Sequence, residues 1–375
     1  MIWSNSFEKA CKRHKSLIHE ALHNIPLKTN VKIEMGCFNE YICKMLKAVG
    51  YKCVNNNDYY LLKMPNFGEK FCNVNEIVSL LELLSKIMVE SKTVSQNFGI
   101  WNECNRTIAR LKRINGEGLY CHQVDLMITQ KCSLKCRDCL NLMQYYQKPI
   151  NADKNVIFSE IDRLDNIFDE IEQLHILGGE PFMNKDIYEI CQYAASKENL
   201  KWIVVFSNAT IMPSEKITML DKDKTIFYLS EYKNKKQMTE QIGKYISKNG
   251  INCYKERFEG GWIKHSNFEK IDYKEDEINK LFIECDGRNC PTVANGKFFY
   301  CEYLANAMML GAIPYSETNF IDLNVDRECI KKYLSREEAP RGCSFCSRPL
   351  NSRNVTDKLV EAGVQLDEPL EYKKY

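Results

Sequence analysis

Three cysteines fall within one short stretch, Cys132-Ser133-Leu134-Lys135-Cys136-Arg137-Asp138-Cys139, with three and then two residues between them. They follow an apolar, strand-like run, Val124-Asp125-Leu126-Met127-Ile128-Thr129. Three thiolates on one tight loop can hold three irons of a cubane cluster and leave the fourth iron open. A structural iron–sulfur or zinc site takes four protein ligands. The count of three leaves a coordination position for a ligand that is not protein. That points to chemistry rather than to a staple.

Other polar groups recur at comparable places. Leu174 to Leu177 reads as a short buried strand and ends in Gly178-Gly179-Glu180-Pro181. Trp202 to Phe206 ends in Ser207-Asn208, and Thr225 to Leu229 ends in Ser230-Glu231. Between these runs lie amphipathic helical patterns. Val156 to Ile171 puts Ile157, Ile161, Leu164, Ile167, Phe168 and Ile171 on one side. Asp186 to Ser196 and Met238 to Asn249 are further helices, and Ile251 to Tyr254 a further strand. Repeated strand-then-helix units imply parallel strands joined by right-handed crossovers. About five such units make a partial, open (β/α) barrel of the TIM type. In such a barrel, positions just after strands share the C-terminal rim, where active sites assemble. The cysteine loop and all three polar clusters fall there.

The chain has 375 residues, long enough for two or three domains with real cores. Its 44% apolar and 27% charged residues are those of a globular protein. A net charge of +2 gives no electrostatic argument for nucleic acid or an anionic membrane. No apolar run approaches the ~20 residues that span a bilayer. The first residues mix Glu8, Lys9, Lys12, Arg13 and Lys15 with few apolar ones, unlike a signal peptide. Eighteen cysteines at short ligand-type spacings in a large chain suit reduced thiols and clusters in a cytoplasmic protein. Cys11, Cys37, Cys43, Cys53, Cys72, Cys104, Cys191, Cys253 and Cys329 read as small buried hydrophobes.

Residues 1–118 form an N-terminal α/β region. Phe7 to His23 reads as a helix whose His14, His19 and His23 do not make a clean ligand pair. Val31 to Met35, Gly36, a helical Tyr41 to Val49 and the strand Tyr51 to Val54 outline a degenerate Rossmann-like unit without a phosphate fingerprint. Asn73 to Met88 and Ile100 to Ile114 are two more helices, and Asn115 to Gly118 a boundary turn. The barrel takes residues 119–279.

Residues 280–350 form a small cysteine-rich region. Cys285 and Cys290 precede the hairpin signal Asn295-Gly296 and then Cys301, and Cys343-Ser344-Phe345-Cys346 adds a closely spaced pair. Two separated cysteine groups are what a four-thiolate site needs. The hairpin sets Cys290 opposite Cys301, which favours it over Cys285. A structural zinc site on the same cysteines is the alternative. The tail, 351–375, reads as a closing helix from Val355 to Ala362 and an extended end.

The cysteine triplet after the first barrel strand, followed by Gly178-Gly179-Glu180-Pro181 after the second, resembles the radical S-adenosylmethionine (SAM) superfamily over about residues 119–260. The resemblance implies a [4Fe–4S] cluster on Cys132, Cys136 and Cys139, with SAM on the open iron. It implies SAM contacts from Gly178, Gly179, Glu180 and Pro181, and from Ser207, Asn208 and Ser230. Many members carry an aromatic residue just before the third cysteine. Asp138 stands there here, leaving backbone rather than a ring to meet adenine. The later cysteines resemble the auxiliary-cluster domains called SPASM and twitch. The set Cys285 or Cys290, Cys301, Cys343 and Cys346 suits one auxiliary [4Fe–4S] cluster.

The expected activity is reductive cleavage of SAM to a 5′-deoxyadenosyl radical, then hydrogen abstraction from a substrate, with an external one-electron reductant. An auxiliary cluster suits oxidation of a small molecule in a sugar or nucleotide-sugar pathway, or an epimerisation. Maturation of a ribosomally made peptide is the second reading, and a non-catalytic iron–sulfur protein the third.

Overall fold

A computed structural model of the chain describes residues 52–56, 59–64, 68–70, 74–116, 118–232, 234–258, 261–263, 268–347 and 359–375. The helix expected at 7–23 with its histidines, and the strand and helix expected at 31–35 and 41–49, lie outside them. The chain divides into two units. One is residues 1–122 with Ile251–Tyr254, the other residues 123–250 with 255–375.

In the first unit, β1 (Lys52–Asn56), β2 (Tyr59–Met64) and β3 (Gly68–Lys70) make a sheet in that order, all antiparallel. The first strand and the helix of the expected Rossmann-like unit lie outside the described residues, and β1, its last strand, pairs antiparallel with β2. Helices α1 (Val74–Glu90) and α2 (Val94–Asn115) follow, longer than the apolar spacing suggests. Leu81, Leu84 and Met88 of α1 are fully buried, as are Trp101 and Cys104 of α2. These steps of three and four residues give each helix one apolar face. Ser85 Oγ donates to Asn105 Oδ1 at 3.0 Å, satisfying two polar groups between the two helices.

The second unit holds most of an eight-stranded sheet. Its strands are β4 (Tyr120–Thr129), β5 (Glu170–Gly178), β6 (Leu200–Ser207), β7 (Thr225–Glu231), β8 (Asn252–Arg257), β10 (Thr292–Ala294), β11 (Lys297–Phe299) and β12 (Phe320–Asp322). The order is β12-β11-β10-β4-β5-β6-β7-β8. Strands β5, β6 and β7 pair in parallel, and β10 joins β4 in parallel. The sheet is the open, mostly parallel sheet of a partial TIM-like barrel. Helices α3 (Lys154–Ile167), α4 (Ile187–Ala195) and α5 (Thr239–Lys248) make the crossovers. The Asn295-Gly296 hairpin forms as expected, and β11 and β12 extend the sheet antiparallel beyond it. A two-strand ladder joins β9 (Trp262–Ile263) to β13 (Leu359–Val360). The cysteine-rich region adds α6 (Glu275–Ile283), α7 (Glu302–Leu310) and α8 (Arg327–Leu334).

Helix α3 shows why local signals succeed and where they stop. Asp153 caps it by accepting from the Asn155 and Val156 N–H groups. Ile157, Ile161, Leu164 and Ile167 are its buried face. The helix ends at Ile167, and Ile171 pairs with Leu200 inside β5. The apolar pattern runs on because a buried strand is apolar too, which periodicity cannot separate from a helix. The closing helix at 355–362 is corrected in the same way. Residues 348–358 lie outside the described residues, and 359–360 are strand, held by pairing with β9.

Paired residues of neighbouring strands share a face. Leu174, Ile176, Ile203, Val205, Phe227 and Leu229 lie on one face and are buried. The other carries Gln173, His175, Trp202, Phe206 and Tyr228. Both faces mix apolar and polar side chains: buried Glu172, Ser207 and Thr225 lie on the first, and buried Val204 and Ile226 on the second.

Candidate functional site

The cysteine loop leaves the end of β4 and is fixed against the loop that leaves β5. Gly179 N–H donates to Thr129 O at 3.0 Å and Glu180 N–H to Lys131 O at 2.8 Å. A Cβ on Gly179 would lie 2.2 Å from Lys131 O and 2.9 Å from Cys132 Cβ. One on Gly178, whose φ is +154°, would lie 2.1 Å from Thr129 O. Both glycines therefore serve the close approach of two chain segments. On the far side of the loop, Asn141 Nδ2 donates to Gly178 O at 2.9 Å. The three thiols are thus carried by a backbone bonded to its neighbour at both ends.

Glu180 is wholly buried. It accepts from Asn208 N–H at 2.7 Å, Phe182 N–H at 3.2 Å and Ser207 Oγ at 3.0 Å. Burial pushes its carboxyl up to about 7 despite these donors. Ser207 in turn accepts from Ala209 N–H at 3.0 Å. Glu180 and Ser207 therefore tie the β5 and β6 loops together. Pro181 opens a short 3-10 turn beside them. Asn208 reaches the cysteines: its Nδ2 lies 3.5 Å from Cys132 Sγ and 3.1 Å from Ser133 Oγ. Ser230 is half-buried at the end of β7, on the face of Tyr228. Asp138 pairs with Arg137 at 2.8 Å.

Burial pushes all three thiols up, Cys136 to about 12. The neighbouring thiols add to this at Cys132 and Cys136. Buried thiolates are costly unless a cation compensates them. Cys132 and Cys139 also pack against the apolar cluster of Met127, Leu142 and Tyr145. The donor set fits a three-thiolate cluster: three sulfurs on one loop, dry surroundings, and Asn208 N–H directed at one of them.

The later cysteines form a second set. Cys285, Cys301, Cys343 and Cys346 line one cleft of about 660 Å³, open space at its mouth included. Cys290, which the hairpin favoured, is not among its walls. The reason is the 3-10 turn Asp286–Asn289, which separates the two cysteines and leaves Cys285 on the cleft side. Phe282, Tyr273, Tyr300 and Tyr303 complete the walls, and Arg288 stacks over Phe282 at 4.5 Å. Burial holds Cys301 and Cys343 well above the usual thiol range. Leu140, next to Cys139, also borders this cleft, so the two thiol sets are neighbours. Of the cysteines expected to pack as hydrophobes, Cys104, Cys191 and Cys253 are buried, whereas Cys329 is exposed. Cys11, Cys37, Cys43 and Cys72 lie outside the described residues, as does the Cys53 side chain.

Residues 114–251 match the family described as a 4Fe-4S single cluster domain. GTP 3',8-cyclase of Haemophilus influenzae is 30% identical over 92 residues, 24% of this chain and 27% of that protein. The Shewanella denitrificans GTP 3',8-cyclase is 34% identical over 89 residues, 23% and 26% of the two chains. The chain thus spans about a quarter of the length of these relatives.

The chain carries the Cys132, Cys136 and Cys139 loop within the matched residues 114–251. Solved structures similar to it include BtrN in complex with AdoMet and 2-DOIA, with TM-score 0.42 and 12% identity over 67% of this chain and 97% of that one. Native anSMEcpe with bound AdoMet has TM-score 0.41 and 12% identity over 67% and 92%. SuiB of Streptococcus suis, bound to precursor peptide SuiA, has TM-score 0.32 and 15% identity over 61% and 57%.

Two features of this chain escaped the sequence reading. One is the polar core of the second sheet face. His175 Nδ1 lies 2.9 Å from Asp125 Oδ1, and its Nε2 2.9 Å from Gln173 Oε1, with both His175 and Asp125 buried. The Phe206 ring lies 4.7 Å from His175 and stacks on Tyr228 at 4.6 Å. The signal was present as alternation, Asp125 between Val124 and Leu126 and Gln173 two before His175. The other is the contact of Gln365 with the cysteine loop, taken up below.

Proposed function

We propose that Cys132, Cys136 and Cys139 hold the [4Fe–4S] cluster that binds SAM, and that Cys285, Cys301, Cys343 and Cys346 hold the auxiliary cluster. When bound, the cluster and SAM supply a 5′-deoxyadenosyl radical by one-electron cleavage of the sulfonium. The protein's part is to hold the loop and keep it dry. Gly178 and Gly179 bring the β5 loop against it, Glu180 and Ser207 fix that loop to β6, and Asn208 donates toward Cys132 Sγ. The observation that carries this reading is the three thiols on one loop, Cys136 buried and Cys132 and Cys139 half-buried, locked to the glycine loop of the next strand.

The favoured reaction is a two-electron substrate oxidation in which a hydrogen atom would go to the 5′-deoxyadenosyl radical, a proton to solvent, and the second electron to an auxiliary cluster held by Cys285, Cys301, Cys343 and Cys346. Leu140, bordering that cleft one residue from Cys139, supports a short path. The substrate is a polyhydroxylated small molecule of the sugar or nucleotide-sugar class. Half-exposed Trp202, Phe206 and Tyr228 offer ring faces beside Gln173, His175 and Asp125. Ring faces with convergent amide and carboxylate groups suit such ligands. The reductant is an external one-electron donor. We place the protein in the cytoplasm, on its ligand-spaced thiols. No described helix is long and apolar enough to cross a membrane.

One observation favours a peptide substrate instead. The antiparallel sheet β1-β2-β3 is of the kind that takes an extended peptide by strand addition at an edge. The test is 5′-deoxyadenosine formation above the uncoupled rate. Stimulation by polyols or nucleotide-sugars, but not by cysteine-containing peptides, is expected. The reverse pattern overturns the small-molecule reading.

A further inference from the structure

We propose that Gln365 is a positioning residue of the SAM cluster, donating to Cys136 Sγ and so setting the cluster's reduction potential, while residues 363–367 strap the cysteine loop. The proposal rests on the assignment of Cys136 as a cluster ligand.

The strap is built from backbone pairing. Leu366 N–H donates to Lys135 O and Arg137 N–H donates to Val364 O, both at 2.8 Å. These two bonds make an antiparallel bridge in which Cys136 faces Gln365. Lys135 Nζ adds a bond to Asp367 O at 2.8 Å. Before the bridge the chain turns at Gly363, whose φ is +72°. A Cβ there would lie 2.6 Å from Tyr232 Cβ, so only glycine lets the strap lie this close. After the bridge, Leu370 N–H donates to Gln144 O at 2.8 Å and Tyr372 Oη to Leu310 O at 2.9 Å. The Tyr372 ring meets Tyr145 edge-on at 5.6 Å. The strap is therefore held on both sides of Cys136.

The Gln365 amide has only one consistent orientation. Oε1 accepts from Lys135 N–H at 2.8 Å, and Nε2 donates to Gly363 O at 2.7 Å. A flip would set oxygen against a carbonyl and N–H against N–H. The remaining Nε2 hydrogen is directed at Cys136 Sγ, 3.1 Å away. Cys136 is only 7% exposed although Gln365 itself is exposed, so the strap is what lies between this sulfur and water.

A hydrogen bond to a cluster sulfur stabilises the more negative, reduced cluster and raises its potential. Losing the donor lowers it. Gln365→Glu keeps an acceptor for Lys135 N–H and removes the donor. Gln365→Met keeps the length and removes both. The reconstituted full chain is titrated anaerobically and followed by the electron paramagnetic resonance signal that added SAM perturbs. The expected result is wild-type iron and sulfide with a more negative potential. The reduced fraction at a fixed poise falls several-fold, and further for Glu than for Met. A tenfold fall corresponds to about 59 mV for a one-electron couple. Wild-type iron with an unchanged potential in both variants overturns the proposal.

A second measurement covers variants that fail to load. In apo protein, Leu366→Pro removes the N–H that pairs with Lys135. Alkylation of Cys136 by iodoacetamide, read by peptide mass spectrometry, should then rise several-fold. An unchanged rate overturns the strap. Cys136→Ala separates the two levels of the argument. If it abolishes the SAM-perturbed signal, the ligand assignment stands whatever Gln365 does. If the signal survives, the assignment fails and takes this proposal with it.

Discussion

Replacing Gly179 by alanine tests whether the glycine loop positions the cysteines or merely accompanies them. The added Cβ starts 2.2 Å from Lys131 O, and real Cβ contacts stay beyond 3.0 Å, so the two segments must part by about 0.8 Å. The obstacle is backbone on a strand end, which cannot rotate aside. Parting by that amount breaks the 3.0 Å bond from Gly179 N–H and the 2.8 Å bond from Glu180 N–H. Two backbone bonds cost about 1 kcal/mol each, and overpacking adds about 1–3 kcal/mol. The loss of about 3–5 kcal/mol is a large share of a typical stability of about 5–15 kcal/mol. Gly311→Ala is the control. Gly311 has φ +66° and open space around its Cβ position, so only about 1 kcal/mol of backbone strain is expected. The assay is the guanidinium midpoint of the apo protein, with iron content after anaerobic reconstitution. Gly179→Ala should lower the midpoint well beyond Gly311→Ala and lose most of the iron of the first cluster. Equal midpoints and equal iron in the two variants would refute the positioning argument.

Three further expectations follow from particular contacts. Cys285→Ser should remove about four of about eight irons and Cys290→Ser none, by iron analysis of reconstituted protein; the opposite result restores the hairpin-based preference. Asp153→Ala should destabilise the fold by about 1 kcal/mol in chemical denaturation, since it removes the cap of α3. Glu160 is buried, accepts Gly296 N–H at 2.6 Å, and is pushed up to about 7 by burial. The folded chain then binds more protons than the unfolded chain between about pH 4.5 and 7. Its contribution is fully present below that window and is lost as pH rises through it, up to about 3 kcal/mol. Glu160→Gln should flatten this fall, as followed by denaturation midpoints across that range.

What the sequence disclosed was local. The triplet at Cys132, Cys136 and Cys139, the glycines after β5 and the Asn295-Gly296 turn are short-range patterns whose geometry the chain enforces over a few residues. Strand ends were legible for the same reason, because apolar runs stop at polar or glycine punctuation. What stayed hidden depends on residues far apart. The choice between Cys285 and Cys290 turns on a 3-10 turn and on where α6 sends the chain. The helix expected at 355–362 gives way to strand because Leu359 and Val360 pair with Ile263 and Trp262. Gln365 and Cys136 are 229 residues apart, and no periodicity joins them. Asp125, Gln173 and His175 were visible as letters, but their convergence requires the register of adjacent strands.

The central claim is that this loop is a radical-generating centre. It is tested most directly by incubating the anaerobically reconstituted chain with SAM and dithionite and measuring 5′-deoxyadenosine by liquid chromatography and mass spectrometry. The account predicts 5′-deoxyadenosine and methionine in equal amounts, abolished by alanine at Cys132, Cys136 or Cys139. Intact SAM in the presence of fully iron-loaded protein would contradict it.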